Sequence, residues 1–500
     1  MNIIMYSDQT KKYKYIIPAI LSVHLILLGI FAAYRIIDAD EGFYLNASRM
    51  IADGMAPYAD FFYTQFAGLP LVFSSVASGG WDSFYTMCAF AVLAGFLSAG
   101  FLTLIVYKVT GDLRIAAIAL FMYAFSGMSL AWHSTFKVIP FTGFFSLATF
   151  YFWLLFRDSQ RLLYLIISGL FLSLLISFRS LFMVLLPAYV LSVYYLSQEH
   201  RRRNFWIMIL SMIPLSLPNA LVIANSFEKF YYGNVIFQMT RDINRSLGDI
   251  VMNRLVTLYR VLIDPHLLII FTLAVVSVIF LFRKKKIVRL KDLFIKAEGM
   301  AVLNLALIAI VFTIPHPMAR RYVDNYLMFA IIVGAFSIQF LSEWFKEKVK
   351  PATVKIMIGG ATALYVVSLV PYFAIFLFGM RGHDQIFRIT NVREVTDHML
   401  AVASETDTVF SGWAGYTFIT GQTPLRYTEI VGYDLGIPLS HEEYLKCNLC
   451  DGIYLKDQVA QKIPNLVVLQ NSEQPYYADL MAENYDRTYK SDVAAVYKRK

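Results

Sequence analysis

Charge is what this sequence has least of. Only 16% of its 500 residues are Asp, Glu, Lys or Arg, against about 25% in an average soluble protein. That scarcity excludes an ordinary water-soluble domain, and it accompanies 58% hydrophobic residues and a mean hydropathy of +0.56. Cysteine is nearly absent. Three cysteines cannot build a disulfide framework. Cys88 lies in an apolar run, while Cys447 and Cys450 form a lone C-x-x-C in a polar tail, compatible with a local disulfide or plain thiols. Only His441 and Asp451 lie near that pair, too few for a zinc site, which takes about four ligands. No glycine-rich nucleotide loop is present, which argues against a nucleotide-sugar donor at the cytoplasmic face and against an ATP-driven pump. There is no internal repeat, no low-complexity tract and no metal-ligating cluster. The net charge of +9 could suggest nucleic acid. The basic residues instead cluster between apolar segments, as in the cytoplasmic loops of membrane proteins, so no nucleic-acid partner is expected.

Long apolar runs dominate in place of charge. Tyr15 to Ile37 is about long enough to cross a bilayer. It exceeds the usual ~7–15-residue core of a signal peptide and lacks a small-x-small cleavage site, so it reads as a retained first helix with a cytoplasmic N-terminus. Further spans are predicted at Phe84–Tyr107, Ile115–Ala131, Val138–Phe156, Leu162–Ser177, Leu181–Leu196, Phe205–Ala224, Leu267–Phe282, Ala297–Ile314, Tyr322–Leu341 and Thr353–Phe378. The expected architecture is an α-helical polytopic membrane protein of about eleven transmembrane helices. Leu69–Ala77 is too short to cross and should re-enter or pack on the surface. Clusters such as Arg201–Arg203 and Arg283–Lys286 then lie inside, by the positive-inside rule. An odd number of spans leaves the C-terminus outside. From Arg381 the composition turns polar. A helix at Asn391–Ser404 and strands at Thr408–Trp413, Pro464–Leu469 and Val493–Lys498 predict an extracytoplasmic α/β domain over 381–500, beside a transmembrane domain over 1–380.

Acidic residues crowd one membrane exit. The stretch 38–70 follows the first span directly and carries Asp38, Asp40 and Glu41, with Asp53 and Asp60 beyond. A carboxylate there is costly unless solvated or functional. Phe43, Ala47, Met50 and Ile51 fall on one helical stripe and Gly42, Asn46, Arg49 and Asp53 on the other. This predicts a short amphipathic helix along the membrane surface, with Asp40 and Glu41 at its dipole-favoured start.

The residues Asp40-Glu41-Gly42-Phe43-Tyr44, Gly54, Pro57-Tyr58, Asp60-Phe61-Phe62 and Gly68 resemble the first outer loop of the GT-C membrane glycosyltransferases, in the protein-mannosyltransferase-like and aminoarabinose-transferase-like branch. Relatives often show Pro-Pro-Gly where this chain has Phe66-Ala67-Gly68. The Arg320-Arg321-Tyr322 segment resembles those relatives more weakly. Gly412-Trp413-Ala414-Gly415-Tyr416, Gly421-Gln422, Pro424 and Arg426-Tyr427 resemble the outer C-terminal region of bacterial relatives.

The resemblance implies an inverting glycosyltransferase. It would move a sugar from a polyprenyl-phosphate-linked donor to a lipid, glycan or protein acceptor at the outer face of the cell membrane. Asp40 would be the catalytic base and Glu41 its orienting partner, with Asp38 the fallback. Tyr58 and Asp60 join the expected substrate-binding set. Attack on the anomeric carbon needs a base within hydrogen-bond reach, and the leaving phosphate needs cations. Arg179, Lys137, Arg320 and Arg321 are the candidate phosphate contacts, with His133 and His316 behind them; each could equally be an interfacial residue snorkelling to lipid headgroups. No cofactor is required, although a divalent cation could bind through Asp40 and Glu41. A flippase or transporter of lipid-linked sugars, and a glycan polymerase or ligase, remain alternatives.

Overall fold

A computed structural model describes residues 2–240, 246–284, 286–314, 318–380, 382–404, 406–433 and 435–500. The helices used below are α1 (Asn2–Tyr34), α2 (Ala39–Ala52), α3 (Gly80–Thr110), α4 (Leu113–Ala124), α5 (Gly127–His133), α6 (Val138–Ser159), α7 (Leu162–Phe178), α8 (Arg201–Asn225), α9 (Leu247–Leu262), α10 (Pro265–Arg283), α11 (Ala297–Thr313), α12 (Asp324–Lys348), α13 (Pro351–Val367), α14 (Ile389–Val402) and α15 (Ala414–Thr420).

Every segment predicted to span falls on helix. Among the described residues, seven helices are long and apolar enough to cross a membrane, eight if α4 and α5 form one broken span. Those two meet at a 62° bend, where Gly127 lets the Tyr372 ring approach so closely that a Cβ would overlap it. Leu162–Phe178, Ser180–Leu196 and Ala297–Thr313 are shorter apolar helices. Helix α6 packs on its sequence neighbour α7 and on the earlier α3, and α7 packs on α8. A distant pairing, α10 on α12, closes the other side.

Leu69–Ala77 does not cross. It forms a short helix, Gly68–Phe73, and a 3-10 turn. A Cβ on Gly68 would collide with the Ser177 carbonyl at the end of α7, so glycine permits that contact. The long connection after α8, expected to lie outside, is largely helical among the described residues. Its α9 begins with a capping box between Ser246 and Asp249 and leaves Leu255, Tyr259 and Leu262 exposed along one side, as an interfacial helix does. Arg241, Arg245, His316 and Arg381 lie outside the described residues.

The tail folds as a five-stranded sheet in the order β2-β1-β3-β5-β4. β1 (Thr408–Ser411) runs parallel to β2 (Thr423–Pro424) and β3 (Leu466–Gln470); β5 (Ala494–Arg499) lies antiparallel between β3 and β4 (Tyr485–Lys490). The central β3 is an unbroken apolar run buried along most of its length, as expected of a strand covered on both faces. The edge strand β4, Tyr-Asp-Arg-Thr-Tyr-Lys, is largely exposed and charged, which discourages further pairing.

Helix α2 is not a surface helix. Its polar stripe faces the tail domain, and Gly42, Asn46 and Ser48 are buried with Tyr44, Leu45, Ala47 and Met50. A Cβ on Gly42 would lie 2.5 Å from the Gly415 nitrogen and 2.6 Å from Trp413 Nε1. Glycine therefore sets how closely α2 and α15 pack. Trp413 Nε1 donates to the Ala39 carbonyl at 2.9 Å. Arg49 donates to the carbonyls of Thr417, Gly421 and Gln422, where the unpaired carbonyls at a helix C-terminus attract a cation. Periodicity located the two stripes; the second hydrogen-bonding partner turned the polar one inward.

Candidate active site

Asp38 ends the connection from α1 and begins α2. Its carboxylate caps the helix by accepting from the Asp40 N–H at 2.9 Å, and Glu41 returns a bond to the Asp38 N–H at 2.8 Å. The helix then rotates successive side chains by about 100°, so Asp40 and Glu41 diverge. Glu41 turns into the protein and is fully buried. Arg35, also buried, grips both of its oxygens, and the Phe136 N–H donates to Oε1 at 2.8 Å. Asp40 turns toward a cavity of about 810 Å³.

Asp40 Oδ2 accepts from Lys137 Nζ at 2.7 Å and from an Arg321 guanidinium nitrogen at 3.0 Å. Lys137 also bonds Asp38 Oδ1 at 2.7 Å, and Arg321 approaches Asp38 Oδ2 at 3.6 Å. Among the described residues nothing donates to Asp40 Oδ1, and the Asp40 side chain is 46% exposed against 16% for Asp38. Burial opposes the charge on Asp40, but Lys137 and Arg321 outweigh it and hold the carboxyl well below the usual carboxylate range. The same pairing works on Lys137, where burial also opposes the charge and Asp38 and Asp40 raise the ammonium pKa.

Arg179 completes the cationic side of the cavity. Its guanidinium stacks over Phe312 at 4.9 Å and Tyr322 at 5.3 Å. Among the described residues it has no carboxylate partner. On this side Lys137, Arg179 and Arg321 gather around Asp38 and Asp40. The opposite wall comes from the tail domain and the loops before it, with Trp413, Tyr433, Glu473 and Phe387; Gln65 and Asn234 close the side. Tyr44 lines the floor and its hydroxyl accepts from Gln65 Nε2 at 2.7 Å.

The structure thus gathers Asp40, Lys137, Arg179 and Arg321 and disperses the other candidates. Glu41 is an anchor for Arg35 and Phe136. His133 is fully buried, its Nε2 2.8 Å from Asp324 and its Nδ1 2.9 Å from the Tyr123 hydroxyl. Arg320 faces away from the cavity, onto Asp264 and Tyr372. Tyr58 is buried, with a φ of +67° and its hydroxyl on the Gln65 carbonyl at 2.7 Å. Asp60 closes a local turn by accepting from the Ala56 N–H at 2.7 Å. Tyr44, Tyr322 and Trp413 stood in the quoted motifs without being singled out for the site, and Glu473 was not singled out at all, because aromatic and acidic residues are common in loops. Asp264 and Asp324 carried the signal that had singled out the first loop, a carboxylate at the entry to an apolar run.

The Asp40 and Glu41 pair does not fit a divalent cation, because Arg35 and the Phe136 N–H already occupy the Glu41 oxygens. Among the described residues no group of three or more His, Cys, Asp or Glu side chains could hold a metal. Cys447 and Cys450 are free thiols, and His441 pairs with Asp451 at 2.9 Å.

No family model and no curated protein matches this chain. Solved structures do. ArnT from Cupriavidus metallidurans, bound to undecaprenyl phosphate, superposes with a TM-score of 0.67 at 13% identity over 98% of each chain. The oligosaccharyltransferase AglB from Archaeoglobus fulgidus, in complex with an inhibitory peptide and a dolichol-phosphate, gives 0.52 at 12% identity over 97% of this chain and 74% of its own. A second structure of the Archaeoglobus oligosaccharyltransferase, in complex with Zn and sulfate, gives 0.52 at 14% identity over 96% and 73%. At these identities the likeness concerns architecture, and the architecture is the GT-C fold: a multi-pass helical membrane protein with a small C-terminal sheet domain.

Proposed function

We propose that this protein is an inverting membrane glycosyltransferase. It transfers a sugar from a polyprenyl-phosphate-linked donor to a lipid, glycan or protein acceptor at the outer face of the cell membrane, with the N-terminus cytoplasmic and the tail domain outside. The observation that carries this reading is a carboxylate with one oxygen tethered and the other open, in a cavity also lined by Arg321 and by Arg179, which has no carboxylate partner among the described residues. The unpaired Arg179 guanidinium suits a phosphodiester, which carries one negative charge. The ArnT structure bound to undecaprenyl phosphate and the AglB structure in complex with an inhibitory peptide and a dolichol-phosphate point the same way.

In this reaction the acceptor hydroxyl approaches Asp40 Oδ1 and attacks the anomeric carbon from the face opposite the phosphate. Its proton passes to Oδ1 as the new C–O bond forms, and the electron pair of the broken C–O bond leaves with the phosphate. Arg179 and Arg321 hold the charge that develops there. While Lys137 and Arg321 stabilise its charge Asp40 is a weak base. A donor phosphate that draws on Arg321 weakens that hold, so the carboxylate becomes more basic once the donor is in place.

The test is a paired glycan analysis of wild type and Asp40→Asn, expressed equally in a host lacking the protein. Loss of a positioned base costs about 10²–10⁴-fold in rate. A one-sugar mass difference in envelope lipids, polymers or glycoproteins should vanish in the variant while the polyprenyl-phosphate sugar accumulates. An unchanged glycan product in Asp40→Asn removes Asp40 as the base and favours transport.

A further inference from the structure

Arg320 and Arg321 are sequence neighbours with opposite engagements. They open a 3-10 turn, Arg320–Val323, which leads directly into α12. Side chains on such a turn diverge by about 120°. Arg321 reaches forward to Asp40 and Asp38. Arg320 reaches back to Asp264, the residue immediately before α10, and lies over the Tyr372 ring at 5.3 Å. Asp264 is 7% exposed. Oδ2 accepts from Arg320 and from the Tyr372 hydroxyl at 2.8 Å, and Oδ1 lies 2.6 Å from His266 Nδ1. The Tyr372 hydroxyl accepts from Arg320 at 2.9 Å, so the three groups form a closed ring of bonds.

Helix α9 holds the chain just ahead of the same turn. Asn253 Oδ1 accepts from the Met318 N–H at 2.9 Å, and the Thr257 hydroxyl donates to the Met318 carbonyl at 3.1 Å. The turn is thus fixed at its start by α9 and in its rotation by Asp264. Both residues that follow Arg320, Arg321 and Tyr322, line the catalytic cavity. If Arg320 lost its acceptor, the turn could rotate and withdraw Arg321 from the cavity.

We propose that Asp264, with Tyr372, is a positioning residue for the donor phosphate: it fixes Arg320 and thereby aims Arg321 and Tyr322 into the cavity. This inference rests on the glycosyltransferase reading above, in that it takes Arg321 to contact the phosphate. Asp264 itself touches no substrate.

The experiment measures binding of undecaprenyl phosphate to the full-length protein in lipid nanodiscs, for wild type, Arg321→Ala, Asp264→Asn, Tyr372→Phe and the double variant Asp264→Asn/Arg321→Ala. Heat-unfolding midpoints are recorded for each. Removing Arg321 should weaken binding about thirtyfold, the worth of a charged hydrogen-bonded contact. Asp264→Asn should weaken it about fivefold and Tyr372→Phe about twofold, as coupled neighbours do. In the double variant the Asp264 effect should vanish, leaving the affinity of Arg321→Ala alone. A merely structural role would lower the midpoint and persist in the Arg321→Ala background. Tyr372→Phe keeps the test decisive if Asp264→Asn folds poorly. Wild-type affinity in both Asp264→Asn and Tyr372→Phe, or an Asp264 effect undiminished in the double variant, overturns the positioning role while sparing the phosphate site. No binding by wild type, or wild-type affinity in Arg321→Ala, overturns the phosphate site and this inference with it.

Discussion

Glu41→Gln should be a stability mutation rather than a catalytic one. Glu41 is 0% exposed, Arg35 is 1% exposed, and the two meet through both carboxylate oxygens. Removing the negative charge leaves a buried guanidinium without its counter-ion. Breaking such a pair from one side costs about 3–5 kcal/mol. Gln keeps one oxygen for the Phe136 N–H, so the loss should lie toward the lower end. Arg35→Met should cost a similar amount. Combining Arg35→Met with Glu41→Gln removes the orphaned charge, so the double variant should be more stable than the two single losses predict together, by about 1–3 kcal/mol. The assay is heat unfolding followed by tryptophan fluorescence in one detergent at one scan rate. Glu41→Gln should unfold several degrees below wild type and still bind undecaprenyl phosphate where it remains folded. A wild-type midpoint together with lost glycan transfer would refute the argument and return Glu41 to the chemistry.

Other outcomes follow from the same geometry. Arg179→Met should weaken undecaprenyl-phosphate binding about tenfold with little change in midpoint, since Arg179 has no carboxylate partner among the described residues; a large fall in midpoint would make it structural. Gly42→Ala should loosen the tail domain, because the new Cβ would lie 2.5 Å from the Gly415 nitrogen; faster proteolysis after α13 and an overpacking loss of about 1–3 kcal/mol report it. Burial pushes the Glu429 carboxyl up from 4.5 to about 7. Because the folded value is the higher, the native state binds the extra proton between those values. The contribution of this group to stability is then fully present below about pH 4.5 and is lost as pH rises through 7. Glu429→Gln should remove that loss, on the order of 3 kcal/mol at pH 8, and raise the midpoint at pH 8 far more than at pH 5; an equal rise at both would refute it.

Much of the architecture was legible because a bilayer imposes a one-dimensional rule. A run of apolar residues long enough to cross must be helical, and every such run, from Tyr15–Ile37 to Thr353–Phe378, falls on helix in the structure. Three strands of the tail were readable from short β-branched runs, and each lies in the sheet. β4 was not, since its charged residues suit an edge and imitate a loop. The first outer loop announced itself through misplaced carboxylates. The surface seat expected for α2 failed because periodicity reports that a face is polar without reporting what it meets. Its polar face meets the backbone carbonyls of α15 and the loop around Glu429.

The sequence by itself determined which apolar runs are helical and that acidic residues crowd the end of the first of them. Its spacing left two doublets undivided: only the resemblance set Asp40 ahead of Glu41 as the base, and Arg320 and Arg321 stood together as phosphate contacts. The tertiary structure separates the members of each by what they touch. Each doublet begins a helical turn, so its members point roughly 100–120° apart, one into the cavity and the other into a buried anchor. What waits on each side, Lys137 or Arg35 for the acids and Asp38 with Asp40 or Asp264 for the arginines, arrives from elsewhere in the chain through packing. No local pattern encodes it.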